Sequence, residues 1–227
     1  MVNDPAVNRF LPPGPDVTME TFQEVIERRH AMEREIGYTM WAVDDKTTGT
    51  FVGQCGIRPV EEDAGPEIDL AYHYTRASWN KGYGTEAVIA VLAHGLGPAG
   101  LDRIMAVAMP ENSGSWRVME KAGMRYEGLV NYYGLEGLKK YAADREWWRP
   151  PLGPMPLRAC RFLTRGFGSR DERDAVCCGE RGEFGESLDL RSGRLDDVPA
   201  LVQERPDLAF GLGDGADDDS EQLGGDA

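Results

Sequence analysis

The sequence lacks the features that mark a membrane-spanning, secreted or metal-binding protein. No apolar run in its 227 residues approaches the length needed to span a bilayer, and the N-terminus has neither a basic start nor an apolar segment of the signal-peptide kind. The four cysteines contain no C-x-x-C spacing, which argues against a zinc site or a disulfide framework; they are Cys55, Cys160, Cys177 and Cys178. We therefore expect a reduced, cytoplasmic protein that needs no metal.

Positive charge is also in short supply. Lys and Arg number 25 against 39 Asp and Glu, which gives a net charge of −14. Such a charge argues against nucleic acid or an anionic membrane surface as the main partner, and it suits small cationic or amine-bearing partners. With 41% apolar and 28% charged residues, the chain nevertheless has an ordinary globular composition.

The composition changes near residue 150. Residues 151–227 contain no Lys, Ile, Asn, Tyr, Trp or His, and their large apolar residues are too few for a separate core. We divide the chain into a folded domain at 1–149 and a low-complexity acidic tail at 150–227. We expect the tail to be disordered, with at most a short helix near 198–208. A tail read through after a frameshift would have the same composition.

Hydrophobic periodicity over residues 1–149 predicts a mixed α/β domain. The predicted elements are, in order, a helix capped by Thr18, strands at 38–43, 51–57 and 67–74, a helix at 84–95, a strand at 103–109, a helix from Asn112 to 121, and strands near 124–131 and 138–143. The alternation in 67–74 places Glu67, Asp69 and His73 on one face of that strand. Ligands of such a layer bind at the carboxyl ends of its central strands.

The strongest functional motif is WNKGYGTEA at residues 79–87, between a predicted strand and a predicted helix. Gly82 and Gly84 allow a tight turn that exposes consecutive backbone N–H groups at a helix N-terminus. These donors and the helix dipole suit a pyrophosphate. The spacing matches neither a Walker A loop nor a Rossmann fingerprint. A glycine-rich turn without a ligand is the alternative.

Residues 69–87 resemble the strand–loop–helix signature of the GNAT N-acetyltransferases, most closely the RimJ/RimL type, which reads EIGY…WGKGYATEA in this region. Residues 112–124, NSGSWRVMEKAGM, resemble that family's second motif, N-x-x-S-x-x-V-L-E-K-x-G-F. The resemblance covers roughly residues 1–149 and none of the tail. It implies a mixed, mostly antiparallel sheet flanked by helices. It also implies an enzyme that transfers an acetyl group from acetyl-CoA to a primary amine, either a protein N-terminus or a small molecule.

The resemblance further implies where acetyl-CoA would bind. The pantetheine arm would pair with the strand backbone at Tyr72 and Tyr74, which requires the neighbouring strand to diverge, and the Asn112 side chain would hold it from the other side. Trp79 stands at a position often occupied by Gln or Arg. The backbone amides expected to hold the pyrophosphate belong to Lys81, Gly82, Tyr83, Gly84 and Thr85.

Acetyl transfer to a protonated amine needs a group that takes or relays the amine's proton. Asp69 matches the acidic position of the family motif, so the resemblance implies that it is the base or the amine anchor. Glu67 and His73 share its strand face and are the reserves. The alternative for Asp69 is a solvated carboxylate with no catalytic role.

The thiolate that leaves needs a proton in turn, and the oxyanion needs a donor. Many GNAT enzymes place a tyrosine at the position of Met119, whose thioether cannot donate a proton. In the RimJ/RimL pattern a serine is the suggested substitute, and Ser115 fits; a helical serine without chemistry is the alternative. A backbone N–H near Tyr74 is expected to stabilise the oxyanion.

The family's first strand and most of its first helix have no counterpart in residues 1–11. We therefore expect a domain that lacks its first strand, leaves residues 38–43 with an unpaired edge, and is marginally stable. A translation start placed too far downstream is the simplest explanation. The alternative functions are a catalytically inactive CoA-binding or interaction module and a truncated gene product. A homodimer is also left open.

Overall fold

The computed structural model describes residues 1–12, 17–62, 65–151 and 160–163 of the chain. The elements in chain order are α1 (Pro5–Asn8), α2 (Met19–Ile36), β1 (Met40–Asp45), β2 (Phe51–Glu62), β3 (Gly65–Tyr74), a 3-10 turn (Arg76–Ser78), α3 (Tyr83–Leu96), β4 (Arg103–Ala108), α4 (Ser113–Lys121), β5 (Arg125–Tyr132), β6 (Leu135–Asp144) and β7 (Cys160–Leu163). Of the helices in these segments, none has both the length and the apolar character that crossing a bilayer requires.

Seven strands form one sheet, in the order β5-β6-β4-β3-β2-β1-β7. All neighbouring strands are antiparallel except β3 and β4, which run parallel. The predicted mixed and mostly antiparallel sheet flanked by helices is therefore confirmed. The parallel pair lies at the centre of the sheet, where α3 provides the crossover between β3 and β4.

The helix ends follow the local sequence. The Thr18 side chain accepts a hydrogen bond from the Thr21 N–H (3.2 Å), and the Thr21 hydroxyl oxygen accepts one from the Thr18 N–H (3.0 Å), which fixes the start of α2. Gly37, with φ of 78°, ends this helix in the left-handed conformation. The Asn112 side chain caps α4 by accepting from the Ser115 N–H (3.3 Å), and Gly123 follows the end of this helix with φ of 82°. The predicted starts of α2 and α4 are confirmed.

The alternation in the central strands divides the core between the two faces of the sheet. On one face Ile68 and Leu70 of β3 pack with α3 in the main core. On the other face Met105 of β4 forms a second, smaller cluster with residues of the β5–β6 hairpin. Because β4 contributes to both clusters, it is buried on both faces, as its continuous apolar sequence predicts.

The prediction that the first strand of the domain has an unpaired edge is wrong. β7 lies antiparallel to β1, with Leu163 opposite Ala42 and Cys160 opposite Asp45. Backbone groups of β1 on the side away from β2 thereby find partners, which removes an open sheet edge. The strand comes from the segment that the composition assigned to a disordered tail, and the division into a domain at 1–149 and a tail at 150–227 stays a prediction. The short helix expected near 198–208 lies outside the described residues.

Candidate active site

β3 and β4 are bridged by a single residue pair, Asp69 and Met105, and diverge towards their carboxyl ends. The gap opens a cleft of about 640 Å³ that lies between residues 70–74 and residues 107–109. Its volume is typical of a small-molecule site. The cleft passes through the sheet, so we name its two ends. The loop half lies beside residues 78–85 and α4, and the hairpin half lies beside the β5–β6 turn.

The free edge of β3 faces this gap. The Thr75 N–H donates to the Val52 carbonyl of β2 (2.9 Å), and backbone groups of successive strand residues alternate between the two edges. Tyr72 and Tyr74 therefore direct their backbone groups away from β2 and towards the cleft. The Tyr74 carbonyl accepts a hydrogen bond from the indole N–H of Trp79 (2.8 Å). Trp79 thus uses its one polar atom to fasten the loop to β3, with its ring 43% exposed at the cleft.

The loop before α3 turns through two left-handed residues, Asn80 (φ 61°) and Gly82 (φ 90°). The Glu86 N–H makes the first hydrogen bond of the helix, to the Gly82 carbonyl (3.1 Å), and α-helix geometry gives the amides before it no acceptor inside the helix. The Tyr83 hydroxyl donates to the Asp45 carboxylate, which lowers the pKa of Asp45. This contact holds the loop against the β1–β2 hairpin.

The cleft brings together most of the predicted cofactor residues. The ones that line it are Tyr72, Tyr74, Trp79, Gly82, Tyr83, Gly84, Thr85 and Asn112. Lys81 is exposed and does not line it. The Oδ1 of Asn112 accepts a hydrogen bond from the Ser115 N–H (3.3 Å) as the cap of α4, so its amide NH₂ is the donor that can face a ligand.

Ser115 lies on the loop half with a hydroxyl partner that the sequence did not indicate. Its Oγ is 3.0 Å from the Tyr72 hydroxyl oxygen, which also lies 2.9 Å from the Ser115 carbonyl. Burial raises the pKa of the Tyr72 phenol, so this group keeps its proton at neutral pH. The carbonyl can only accept, so the Tyr72 proton suits that contact, and the Ser115 hydroxyl is then the donor in its 3.0 Å contact with the Tyr72 oxygen. Met119, only 1% exposed, packs in the core one turn further on.

Asp69 belongs to a buried ion pair at the point where the strands separate. Its Oδ2 accepts from Arg58 Nη2 (3.0 Å) and Nε (3.2 Å), and also from the Tyr133 hydroxyl (2.7 Å). Asp69 and Arg58 are only 3% and 5% exposed. Among the described residues, all hydrogen bonds to this carboxylate fall on Oδ2, which leaves Oδ1 for a ligand in the cleft. The positive charge of Arg58 compensates the carboxylate.

Tyr133 reaches Asp69 because of an unusual backbone conformation. It follows β5 with φ of 54°, a value rare for a residue with a side chain, and it lines the cleft. Burial, and then the nearby charge of Asp69, raise the pKa of Tyr133, so its hydroxyl donates as a neutral group. The sequence analysis missed Tyr133 and Arg58. Arg58 carried one signal, since it is a charged residue in an apolar strand directly opposite Asp69.

Glu67 does not reach the cleft. Both of its oxygens accept from Lys140 Nζ, at 2.6 and 2.7 Å, and Tyr132 donates to Oε2 (3.1 Å). Glu67 is also absent from the residues that line the cavity. Its candidate role as a catalytic base therefore does not fit the structure, because the carboxylate is held by a cation on β6, away from the opening between β3 and β4.

His73 does line the cleft, and its proton can be placed. Arg29 Nη1 donates to Gln54 Oε1 (2.8 Å), so the amide NH₂ of Gln54 faces His73 Nδ1 at 3.1 Å. Nδ1 is then the acceptor and Nε2 carries the hydrogen. Burial, followed by the charges of Arg58 and Arg29, lowers the pKa of His73 to about 4. The imidazole is therefore a neutral hydrogen-bond donor at pH 7.

Comparison with known proteins identifies the family. The model of the acetyltransferase (GNAT) domain matches residues 1–125. The chain belongs to the GNAT acetyltransferase family. YkkB of Bacillus subtilis (strain 168) is 32% identical to this GNAT protein over 130 residues, which cover 57% of this chain and 74% of YkkB.

One further relative and one solved structure are similar to this chain. A protein of Bacillus licheniformis named N-acetyltransferase p20 is 25% identical over 131 residues, covering 58% of this chain and 73% of p20. The crystal structure of the acetyltransferase from Agrobacterium tumefaciens str. C58 shares the fold, with a TM-score of 0.52 and 20% identity over 63% of this chain and 80% of that one. The expected fold and the expected enzyme class, an acetyltransferase, are therefore confirmed.

GNAT enzymes use acetyl-CoA, and the residues at the loop half suit it. A pyrophosphate needs backbone N–H donors, which the start of α3 provides, and a pantetheine amide needs an open strand edge, which β3 provides at Tyr72. The backbone of Gly84 lies close to its neighbours: an added Cβ would be 3.4 Å from a Val118 methyl carbon and 3.5 Å from the Tyr74 ring. The start of α3 is thus packed against both walls of the cleft.

Proposed function

We propose that this GNAT protein is of the RimJ/RimL type and transfers the acetyl group of acetyl-CoA to a primary amine. The observation that carries the proposal is the single cleft into which the edge of β3 and the first amides of α3 both open. The motifs at 79–87 and 112–124 support the subfamily. The amine nitrogen bonds to the acetyl carbonyl carbon while the C–S bond breaks; the amine loses a proton and the CoA sulfur gains one. We place this reaction in the cytoplasm, because the cysteine usage suits a reducing compartment.

In this proposal the loop half binds the donor. The amides of residues 82–85 hold the pyrophosphate, and the exposed charge of Lys81 adds attraction for phosphate beside them. The backbone edge at Tyr72 and Tyr74 pairs with pantetheine, and the NH₂ of Asn112 donates from the opposite wall. A backbone N–H near Tyr74 stabilises the oxyanion. Trp79 keeps the loop attached to β3 through its bond to the Tyr74 carbonyl.

The acceptor amine enters from the hairpin half. Oδ1 of Asp69 anchors it, and the amine's proton leaves through water in the open cleft, because Arg58 and Tyr133 already occupy the other carboxylate oxygen. On the donor side, the Ser115 hydroxyl turns from the Tyr72 oxygen to the CoA sulfur and donates to the developing thiolate. Tyr72 holds Ser115 in position by donating to its carbonyl. These roles need both residues to keep their protons, which the raised pKa of Tyr72 favours.

Two measurements on the full chain test the function. Stabilisation against heating by acetyl-CoA reports binding, and thiol release with a panel of primary amines reports turnover. We expect both. Ser115→Ala should lower kcat by about one to two orders of magnitude with an unchanged Kd for acetyl-CoA, whereas Thr50→Ala, in the exposed β1–β2 turn, should leave both unchanged.

A second function has one specific observation in its favour. Met119 occupies the place where many GNAT enzymes have a tyrosine, and although it lines the cleft, its thioether has no proton to donate. A catalytically inactive CoA-binding module would show acetyl-CoA stabilisation and no thiol release with any amine. Loss of both signals in a well-folded sample would overturn both functions.

A further inference from the structure

Apolar side chains from two separate segments line the cleft. The N-terminal segment supplies Val7, Phe10 and Leu11, and the β5–β6 hairpin supplies Leu135 and Leu138. A ligand that extends from the strand junction towards these segments must replace water at apolar side chains. Such walls stabilise an apolar group and offer no hydrogen-bond or ionic partner to an extended charged chain.

Asp69 is the charged side chain that lines the cleft at the strand junction; the other charged residues in the described lining of the cleft are Glu111, just before α4, and Arg117 and Lys121 on α4. Its carboxylate is already compensated by Arg58, and only Oδ1 is left to accept. One ammonium or amine group can therefore be anchored here. The other carboxylate on this face, Glu67, is bonded to Lys140 and lies outside the cleft.

Other cations lie near the cleft beyond the compensated Arg58–Asp69 pair. Arg29 donates to Gln54 (2.8 Å), whose amide contacts His73 (3.1 Å), and after burial and Arg58 its charge also lowers the pKa of His73. The guanidinium of Arg9 lies 5.0 Å from the centroid of the Phe10 ring. A second ammonium on the ligand would meet these cations, and the one further carboxylate in the described lining, Glu111, is outnumbered there by Arg117 and Lys121. The net charge of −14 is thus not the charge that a ligand meets at this site.

From these contacts we infer that the hairpin half selects a primary amine carried on an apolar body, such as an arylalkylamine or a peptide N-terminus with an apolar first side chain, over a polyamine. The inference rests on the proposed function, since it takes the hairpin half as the place of the acceptor. His73 lines the same cleft four residues further along β3 than Asp69, where it contributes a neutral N–H donor that suits an uncharged polar group on the ligand, such as a peptide carbonyl.

The test compares matched amines with the full chain. At saturating acetyl-CoA, thiol release should give a kcat/KM at least about tenfold higher for 2-phenylethylamine than for spermidine or 1,5-diaminopentane. Phe10→Ala should lower kcat/KM for 2-phenylethylamine about tenfold, mainly through KM, with the KM for acetyl-CoA unchanged. Leu135→Ala tests the opposite wall in case the first variant does not fold. Met19→Ala, whose side chain is 74% exposed on α2, is the matched control.

The outcomes separate the inference from the function on which it rests. Faster turnover of the polyamines, or equal loss for both amine classes in Phe10→Ala, would overturn the inference and leave the acetyltransferase assignment intact. Turnover of no amine, with acetyl-CoA stabilisation retained, would overturn the proposed function and this inference together. Preference for 2-phenylethylamine that Phe10→Ala removes would support it.

Discussion

Removing Arg58 should expose how much the fold depends on the buried pair at the strand junction. Arg58 and Asp69 are 5% and 3% exposed, and their closest atoms are 3.0 Å apart. Arg58→Met removes the cation and keeps most of the side-chain volume. It leaves a carboxylate that is buried on β3 with the Tyr133 hydroxyl as a neutral donor. Breaking such a pair from one side costs about 3–5 kcal/mol, and Tyr133 and cleft water favour the lower end, about 3 kcal/mol.

A double-mutant cycle isolates the cause. Arg58→Met together with Asp69→Asn removes both charges, and the asparagine side chain can still accept from Tyr133. Without an uncompensated charge, the free energy of unfolding should return to within about 1 kcal/mol of the wild-type value. Arg103 is the matched control, because it pairs with Asp144 and Glu127 on the surface, where loss of an ion pair costs less than about 1 kcal/mol.

Urea unfolding followed by the fluorescence of the five tryptophans measures these differences. The expected order of stability is wild type, Arg103→Met and the double variant close together, with Arg58→Met clearly below them. A loss below about 1 kcal/mol in Arg58→Met, or a double variant at least as unstable as the single one, would refute the view that this charge pair is buried and compensated.

Three further predictions concern the loop, the histidine and the tail. Gly82→Ala should lower the free energy of unfolding by about 1–2 kcal/mol, because Gly82 has φ of 90°. Gly84→Ala, at a helical position with room for a methyl group, should change the free energy of unfolding by less than half as much. Equal effects of the two variants on the urea midpoint would contradict the turn geometry. The pKa of His73 is lowered to about 4, below its unfolded value of about 6.5, so the unfolded chain binds more protons between these pH values and stability should fall as the pH drops from 6.5 to 4. His73→Gln should flatten that part of the curve of urea midpoint against pH. An unaltered curve would count against the buried neutral imidazole. Deleting residues 152–227 should lower the thermal midpoint measured by scanning calorimetry, because residues 42–45 lose their β7 partner. An unchanged midpoint would show that β7 adds no stability.

The local features of the fold were predictable because short-range patterns carry them. Thr18 and Asn112 cap their helices through bonds to residues three positions away, and this is visible in the sequence. The motif at 79–87 indicated a turn before a helix, and Gly82 has the left-handed conformation that such a turn needs. The strand at 67–74 was predicted with the correct faces. β7 was missed because its four residues pair with β1 from a segment whose composition resembles disorder.

The sequence by itself determined the family and most of the helices and strands, because periodicity, caps and glycine positions act within a few residues; it missed β7 and the site residues Arg58 and Tyr133. Tertiary structure alone decided which of the acidic residues on β3 faces the cleft. The bonds of Asp69 to Arg58 and Tyr133 join residues 11 and 64 positions apart, and those of Glu67 to Lys140 join residues 73 apart. Such contacts depend on strand order and register, which place the carboxylate of Asp69 at the point of divergence and that of Glu67 one step outside it.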